Sequence, residues 1–214
     1  MHTVELRYIN YKPDTKIISS TCLPEIIQVQ AAKYTSINDR NRFVLGKLLL
    51  KRYLDIQGAS DSISLISYTP YGKPFICDGI HFNTSHTTDI IIIAASKYVE
   101  LGLDIEAKDR FIDINKDIIF NIEEINWIDK NINLLNPLTY LWTRKEAVLK
   151  TIGYGLYQEM NTINTLQNPI LLDNNHYYWK EIDIDTRYYC HLSIKSELNS
   201  ISYTISEDQL SDLI

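Results

Sequence analysis

Alternating apolar and polar residues mark several short stretches of the chain, and this is the period of a β-strand with one buried face. The clearest alternation covers residues 99–106, and residues 4–9 and 62–68 share it. Residues 90–95 form a continuous apolar run, which is typical of a strand buried on both faces. In the last quarter of the chain, the pattern predicts strands at residues 177–184, 188–194 and 201–205.

Helical periods predict helices between these strands, at residues 23–34, 38–54, 123–130 and 137–152. Each half of the chain therefore runs strand, helices, strands. This order predicts an α+β fold with antiparallel strands packed against helices. The two halves, residues 1–98 and 99–214, are predicted to form an N-terminal and a C-terminal lobe of similar layout.

Charge and composition narrow the class of protein. The 214 residues carry a formal net charge of −6, and 45% of them are hydrophobic, which is enough for a sizeable core. The net negative charge argues against a general nucleic-acid binder, whereas two local basic clusters suit a small anionic ligand. The clusters are Arg40, Arg42, Lys47, Lys51 and Arg52, and then Arg144, Lys145 and Lys150.

Cysteine spacing and hydropathy indicate a cytoplasmic protein. The three cysteines are widely spaced and form no CxxC pair, which favours reduced thiols over a disulfide framework or a zinc site. The first ten residues lack the layout of a signal peptide, and the run at residues 90–95 is too short to cross a bilayer. We therefore expect no membrane partner.

Two carboxylates lie on one face of the strand predicted at residues 99–106. Asp104 and Glu106 are two positions apart, so both side chains project from the same side and repel each other there. Like charges this close raise a pKa or bind a cation, and Mg²⁺ commonly takes one or two carboxylates with substrate phosphates. Gly102 on the same face would let another segment approach closely. The alternative is an exposed strand face with solvated charges.

Further candidate residues come from the last helix and from two loops. Glu146 and Lys150 are four positions apart on one helix face, just before glycines that predict an open loop; the alternative is a surface ion pair. Ser85 and His86 could bind phosphate oxygens at a strand end, and Lys73 is stiffened by the proline after it. Their alternatives are a structural histidine and a solvated lysine.

In order along the chain, four segments resemble the signature blocks of the 4′-phosphopantetheinyl transferase superfamily, in its larger single-chain type. The segments are GKP at 72–74, FNTSH at 82–86, LGLDIE at 101–106 and WTRKEAVLK at 142–150. The resemblance implies two related α+β lobes with pseudo-two-fold symmetry in a monomer, and coenzyme A in the cleft between them. The implied enzyme, of the holo-[acyl-carrier-protein] synthase type, moves phosphopantetheine from coenzyme A to a serine of an apo acyl or peptidyl carrier protein. Adenosine 3′,5′-bisphosphate is released.

The resemblance also implies roles for individual residues. Asp104, Glu106 and Glu146 would bind Mg²⁺, or Mn²⁺ in its place, and Glu146 would also deprotonate the carrier serine. Lys150 would neutralise the leaving phosphate, and His86 is expected at the reaction centre as well. Coenzyme A would be held by Arg42, Lys73, Ser85, His86 and Lys150. A departure from the family pattern follows Arg42, because Phe43 stands where a small hydroxyl residue is expected.

Three other readings compete with this enzyme. The small trimeric carrier-protein synthases are the most similar of them, but they have roughly half this length and would not supply two lobes. A catalytically inert module that binds a carrier protein or coenzyme A would keep the basic clusters and lose a carboxylate, whereas this chain has all three. A different magnesium-dependent phosphoryl-transfer enzyme or nuclease is disfavoured, because the sequence has neither a P-loop nor a broad basic surface. An acidic carrier protein is expected to dock near Lys47, Lys51 and Arg52, or near Arg144 and Lys145.

Overall fold

The computed structural model describes residues 3–13, 16–110, 114–154, 160–196 and 202–214. Its helices are α1 (Glu25–Ala32), α2 (Ile37–Ile56), α3 (Lys116–Ile119), α4 (Ile122–Lys130) and α5 (Pro137–Ile152). Its strands are β1 (Thr3–Asn10), β2 (Ile66–Tyr68), β3 (Pro74–Ile76), β4 (His81–His86), β5 (Ile90–Ser96), β6 (Leu101–Ala107), β7 (Ile170–Leu172), β8 (Asn175–Glu181), β9 (Tyr188–Lys195) and β10 (Ser202–Glu207). The predicted α+β class is confirmed.

The strands form two four-stranded sheets and one small hairpin. The N-terminal sheet has the order β10-β1-β5-β4, the C-terminal sheet has the order β6-β9-β8-β7, and β2 pairs with β3. All pairs are antiparallel except β1 with β10, which run parallel. Because β10 belongs to the last residues of the chain, the C-terminal end completes the N-terminal sheet. The division into lobes at residue 98 and their pseudo-two-fold symmetry stay predictions.

One strand prediction is wrong in its first half. Residues 62–68 alternate like a strand, but Ser60–Leu65 is a 3₁₀ helix and only Ile66–Tyr68 is extended. The hydroxyl of Ser62 donates to Asp78 Oδ2 at 2.7 Å, which accounts for a polar residue that is buried in this turn. The predicted loop at Gly155 lies outside the described residues.

Helices cover the outer face of each sheet, and the two sheets share an inner core. α1 and α2 pack on the N-terminal sheet through a cluster that includes Leu45, Leu49 and Ile91. The opposite face of that sheet, with Leu6 and Ile92, packs against the odd-numbered residues of β6 and against β9. α5 packs on the other face of β6 and β9. The even-numbered residues of β6 therefore face α5.

Side chains of β4 link the edges of the two sheets. Asn83 Oδ1 accepts the backbone N–H of Leu103 at 3.0 Å, and Ser85 Oγ accepts that of Ile105 at 3.3 Å. An edge strand presents backbone groups that need partners, and here side chains satisfy two of them on β6. The candidate residues of β4, β6 and α5 consequently meet at one junction.

Gly102 sets the distance between β6 and α5. A Cβ at this position would lie 2.2 Å from Ala147 O and 2.4 Å from Thr151 N, which are backbone atoms of α5. The sequence-based expectation of a close approach at Gly102 is therefore confirmed, and the approaching segment is the helix that carries Glu146 and Lys150.

Replacing Gly102 with alanine is expected to lower the free energy of unfolding by about 3 kcal/mol, because a helix backbone cannot move aside as a side chain can. Gly46→Ala is the matched control, since its Cβ would meet the methyl group of Thr84 at 3.0 Å. Denaturant unfolding of both variants measures the difference. Equal stability of the two variants would contradict this account of the β6–α5 contact.

Candidate active site

The two carboxylates of β6 are buried beneath α5. Asp104 and Glu106 are 5% and 7% exposed, although they share the polar face that alternation predicts. The alternative of solvated charges on an exposed face is wrong, because α5 covers that face. Burying a charge is unfavourable unless it is paired, so the partners of these carboxylates matter.

Asp104 is held by residues from β4 and α5. Its Oδ1 accepts the hydroxyl of Ser85 at 2.8 Å and the Lys150 amine at 2.6 Å. Lys150 Nζ lies 3.4 Å from Ser85 Oγ as well. The structure thus brings Ser85, Asp104 and Lys150 together from three separate segments.

Glu106 has a different partner, which the sequence analysis missed. Arg110 Nη1 donates to Glu106 Oε1, and the arginine side chain is 52% exposed. The other oxygens, Asp104 Oδ2 and Glu106 Oε2, are buried and have no hydrogen-bond partner within the described part of the chain. Each carboxylate therefore has one oxygen held by protein donors and one that is still available.

Glu146 projects from α5 into the same negative environment. Burial, followed by the charge of Asp104, raises the pKa of Glu146 to about 7, against the opposing effect of Lys150. Burial also raises the pKa of Glu106, and Asp104 adds to that effect. A compact set of carboxylates with pKa values raised in this way favours the arrival of a cation.

The donor set fits part of a magnesium site. The described residues contain no group of three or more His, Cys, Asp or Glu side chains arranged to hold a metal ion. However, Mg²⁺ usually takes one or two carboxylates and completes its octahedron with water and substrate phosphates. The buried, unpartnered oxygens of Asp104 and Glu106 are suitable as these one or two carboxylate ligands.

Arg42 and His86 line a different pocket from the one that Glu146 lines, and we call it the α2 pocket. It has a volume of about 350 Å³, and its lining includes Arg42, Phe43, Lys47 and His86. Partial burial, with the charges of Arg42 and Lys150, lowers the pKa of His86. Burial lowers the pKa of Lys47 to about 8. A desolvated amine beside an arginine and a histidine suits an anionic group such as a phosphate.

Aromatic rings form one side of the α2 pocket. The Tyr34 and Phe43 rings are 5.3 Å apart, and Lys47 Nζ lies 5.4 Å from the centre of Phe43. Phe43, the departure from the family pattern, therefore adds an apolar surface next to the cations. Lys47 was predicted as part of a basic cluster that suits a small anionic ligand and as part of a docking surface, and its position one helical turn after Phe43 places it in the pocket.

Lys73 lines a second pocket, of about 270 Å³, which also includes Glu146, Leu149 and Lys150; we call it the α5 pocket. Lys73 Nζ donates to Thr151 O at 2.7 Å, and its stem packs against Gly153, which ends α5 with a φ of 83°. Burial lowers the pKa of Lys73 to about 8. Lys73 thus contacts the end of α5, and the structure does not bring it together with Arg42.

One of the two predicted docking surfaces is wrong. Arg144 and Lys145 are 4% and 0% exposed, so neither can meet a partner protein. The Arg144 guanidinium stacks 3.7 Å from the centre of the Trp179 ring. Lys145 Nζ donates to Glu124 Oε2 at 2.6 Å, inside the core. These two cations stabilise the fold around α5.

Comparison with known proteins gives a family match over part of the chain. The model of the 4′-phosphopantetheinyl transferase superfamily matches residues 100–202, which include Asp104, Glu106, Glu146 and Lys150. Over these residues, which are just under half of its length, the chain is similar to the 4′-phosphopantetheinyl transferase superfamily. Residues 1–99, which include the lining of the α2 pocket, lie outside that match.

Three relatives illustrate the similarity of this chain to named proteins. The 4′-phosphopantetheinyl transferase gsp of Aneurinibacillus migulanus is 33% identical over 134 residues, which are 61% of this chain and 56% of the relative. The L-aminoadipate-semialdehyde dehydrogenase-phosphopantetheinyl transferase of Xenopus laevis is 23% identical over 176 residues, covering 73% and 58%. The 4′-phosphopantetheinyl transferase AcpT of Salmonella typhimurium is 27% identical over 160 residues, covering 72% and 78%.

The alignments cover little more than half the length of the first two relatives, at 56% and 58%. Among the helices that the structure describes, none has the length and apolar character needed to cross a membrane.

Proposed function

We propose that the protein transfers 4′-phosphopantetheine from coenzyme A to a serine hydroxyl of an apo acyl or peptidyl carrier protein. The observation that carries the proposal is the convergence of Asp104, Glu106, Glu146 and Lys150 at the β4–β6 junction, beside two pockets. Similarity to the 4′-phosphopantetheinyl transferase superfamily over residues 100–202 supports the same reaction. The holo-[acyl-carrier-protein] synthase activity, the cytoplasmic location and the monomeric state are further parts of this proposal.

Glu146 activates the acceptor. A serine hydroxyl is a weak nucleophile unless a base lies within hydrogen-bond reach, and a carboxylate with a pKa of about 7 can take its proton near neutral pH. The serine oxygen then attacks the phosphorus that carries the pantetheine arm. The bond from that phosphorus to the bridging oxygen breaks, and adenosine 3′,5′-bisphosphate leaves with the bond's electron pair.

Lys150 and Ser85 act on the diphosphate. The Lys150 amine is 28% exposed on its side chain and is fixed beside Asp104, so it can approach a phosphate without leaving the site. It stabilises the negative charge that develops on the leaving oxygen. The Ser85 hydroxyl donates its one proton to Asp104, so it donates to a second phosphate oxygen only after turning away from that carboxylate.

A divalent cation, Mg²⁺ or Mn²⁺, would be held by Asp104, Glu106 and Glu146 and would supply Lewis-acid stabilisation of the diphosphate charge. The residues of this chain fit that cation through the buried, unpartnered oxygens of Asp104 and Glu106. In the proposed site Glu146 is both a ligand and the base.

The two pockets divide coenzyme A between them. The α2 pocket, with Arg42, Lys47 and His86 beside aromatic rings, suits a phosphorylated nucleoside. The α5 pocket, with Lys73 and the apolar Leu149 next to Glu146, suits the pantetheine arm. His86 and Lys150 lie close enough for electrostatic interaction, so the diphosphate would connect the pockets between them.

Of the other predicted docking surface, Lys51 and Arg52 are proposed to meet the carrier protein, because Lys47 lies in the α2 pocket and Arg144 and Lys145 are buried. Arg52 is exposed, whereas Lys51 is partly neutralised by an ion pair with Asp55 at 2.7 Å. Carrier-protein docking here is supported only by the positive charge that remains on this part of α2.

Incubation of the protein with coenzyme A, Mg²⁺ and several apo carrier proteins tests the proposal. Intact-mass spectrometry is expected to show a phosphopantetheine adduct on at least one carrier, and Asp104→Ala is expected to lower the rate of its formation by about 10³-fold. Arg187→Ala, a change at an exposed arginine, is the control.

Coenzyme A bound without any adduct on the carriers would favour the inert binding module instead. An adduct formed at the wild-type rate by Asp104→Ala would contradict the site assignment, although the transferase activity itself would stand.

A further inference from the structure

Arg110 lies at the edge of the carboxylate site, and the proposed reaction assigns no role to its side chain. It follows Glu106 by four residues, and its guanidinium donates to Glu106 Oε1. The side chain of Glu106 is 9% exposed, whereas that of Arg110 is 52% exposed. Arg110 therefore holds the outer oxygen of a buried carboxylate from the solvent side.

The backbone of Arg110 is fixed to the start of α5. Arg110 O accepts the Asn136 side-chain amide at 2.7 Å and the Thr139 hydroxyl at 3.2 Å. Asn136 is the N-cap of α5, and its Oδ1 accepts the backbone N–H of Thr139 at 3.2 Å. Arg110 is thus connected to the helix that carries Glu146 and Lys150, and its position does not depend on the contact with Glu106 alone.

The carboxylates of Asp104 and Glu106 are held in the same way. Ser85 and Lys150 hold one oxygen of Asp104, Arg110 holds one oxygen of Glu106, and the second oxygen of each is buried without a partner among the described residues. Carboxylates that bind metals are commonly held in this way by outer donors, which fix their orientation. The two unpartnered oxygens are then already oriented for a ligand, and the side chains need not change rotamer to bind it.

We propose that Arg110 is a positioning residue that orients Glu106 for a divalent cation, an inference that rests on the proposed function. Its positive charge has the opposite effect, because it repels a cation. The guanidinium is half exposed, however, so water and salt screen that repulsion. Loss of an outer-shell partner costs about 10–100-fold in metal affinity, which is the larger effect. Removing Arg110 should therefore weaken cation binding.

Titration of the free protein with Mn²⁺, followed by electron paramagnetic resonance, tests this without an activity assay. Arg110→Ala is expected to raise the Kd for Mn²⁺ by about 10–100-fold. Arg110→Gln keeps a hydrogen-bond donor and loses the charge, and its Kd is expected between those of the wild type and Arg110→Ala. Arg187→Ala removes the same charge from an arginine of similar exposure, 55%, and is expected to leave the Kd within twofold.

Three results would overturn the inference in distinguishable ways. An unchanged or lower Kd in Arg110→Ala would show that the guanidinium only counters charge, while the proposed function would survive. A rise in Arg187→Ala equal to that in Arg110→Ala would make the effect one of net charge. A wild-type protein that binds no Mn²⁺, or binds it as well after Asp104→Ala, would remove the cation site of the proposed function and this inference with it.

Discussion

Replacing Glu146 with glutamine is expected to lower kcat for phosphopantetheine transfer by about 10³-fold. Glutamine has nearly the same shape but cannot accept the proton of the carrier serine, and it binds a cation poorly. The α2 pocket is not altered by this change, so the KM for coenzyme A should change much less than kcat. Steady-state kinetics with a saturating carrier protein measures both quantities.

The stability of Glu146→Gln shows whether a loss of activity comes from lost catalysis or from lost folding. Burial and the neighbouring carboxylates raise the pKa of Glu146 to about 7, so the folded state disfavours its charge. Below that pKa the folded protein holds a proton that the unfolded chain releases, and stability from this group falls as pH rises towards 7. Without added metal at pH 8, Glu146→Gln should unfold at the same temperature as the wild type or higher. A kcat within tenfold of the wild type would contradict the role of Glu146 as the base.

Lys145→Met is expected to lower the free energy of unfolding by about 3–5 kcal/mol, and the melting temperature by roughly 6–20 °C. Lys145 Nζ donates to Glu124 Oε2 at 2.6 Å and to the carbonyls of Ile119, Met160 and Ile163 at 2.9–3.0 Å. Both side chains of the pair are 0% exposed. Methionine fills the volume but leaves a buried carboxylate without its counter-charge, and thermal unfolding followed by circular dichroism measures the loss.

The double variant Lys145→Met with Glu124→Gln is the control for this prediction. Glu124 Oε1 also accepts from the backbone N–H and hydroxyl of Thr165, at 2.9 and 2.6 Å, and glutamine can keep an acceptor there. If the uncompensated charge dominates, the double variant will be more stable than Lys145→Met alone. A Lys145→Met variant that melts within 2 °C of the wild type would show that the pair contributes little.

The limits of α5 could be predicted from the sequence to the residue, whereas its surroundings could not. Residues 137–152 were predicted, and the structure has Pro137–Ile152, because Pro137 suits the first turn and Gly153 ends the helix in a left-handed conformation. These signals are local. The burial of Arg144 and Lys145 depends on Trp179, Glu124 and carbonyls distant in sequence, so a run of cations suggested an exposed face.

The sequence predicts which residues form the candidate site better than it predicts the contacts between them. The spacing of Asp104 and Glu106 places both on one strand face, and the glycine before them indicates that something approaches that face. That the approaching element is α5, and that it buries the carboxylates, is a consequence of tertiary packing. Arg110 carried a local signal, four residues beyond Glu106, but turn geometry and the cap of α5 decide where its guanidinium lies.

The linkage of β4 to β6 couples the assembly of the protein to its chemistry. The Ser85 hydroxyl accepts the backbone N–H of Ile105 and donates to Asp104, so the same group joins the two sheets and holds a carboxylate that is proposed to bind the cation. Separation of β4 from β6 is expected to abolish the proposed activity while each sheet keeps its own backbone hydrogen bonds. The amide protons of Leu103 and Ile105 therefore report whether β4 and β6 are joined. They do so more directly than any measure of helix or strand content.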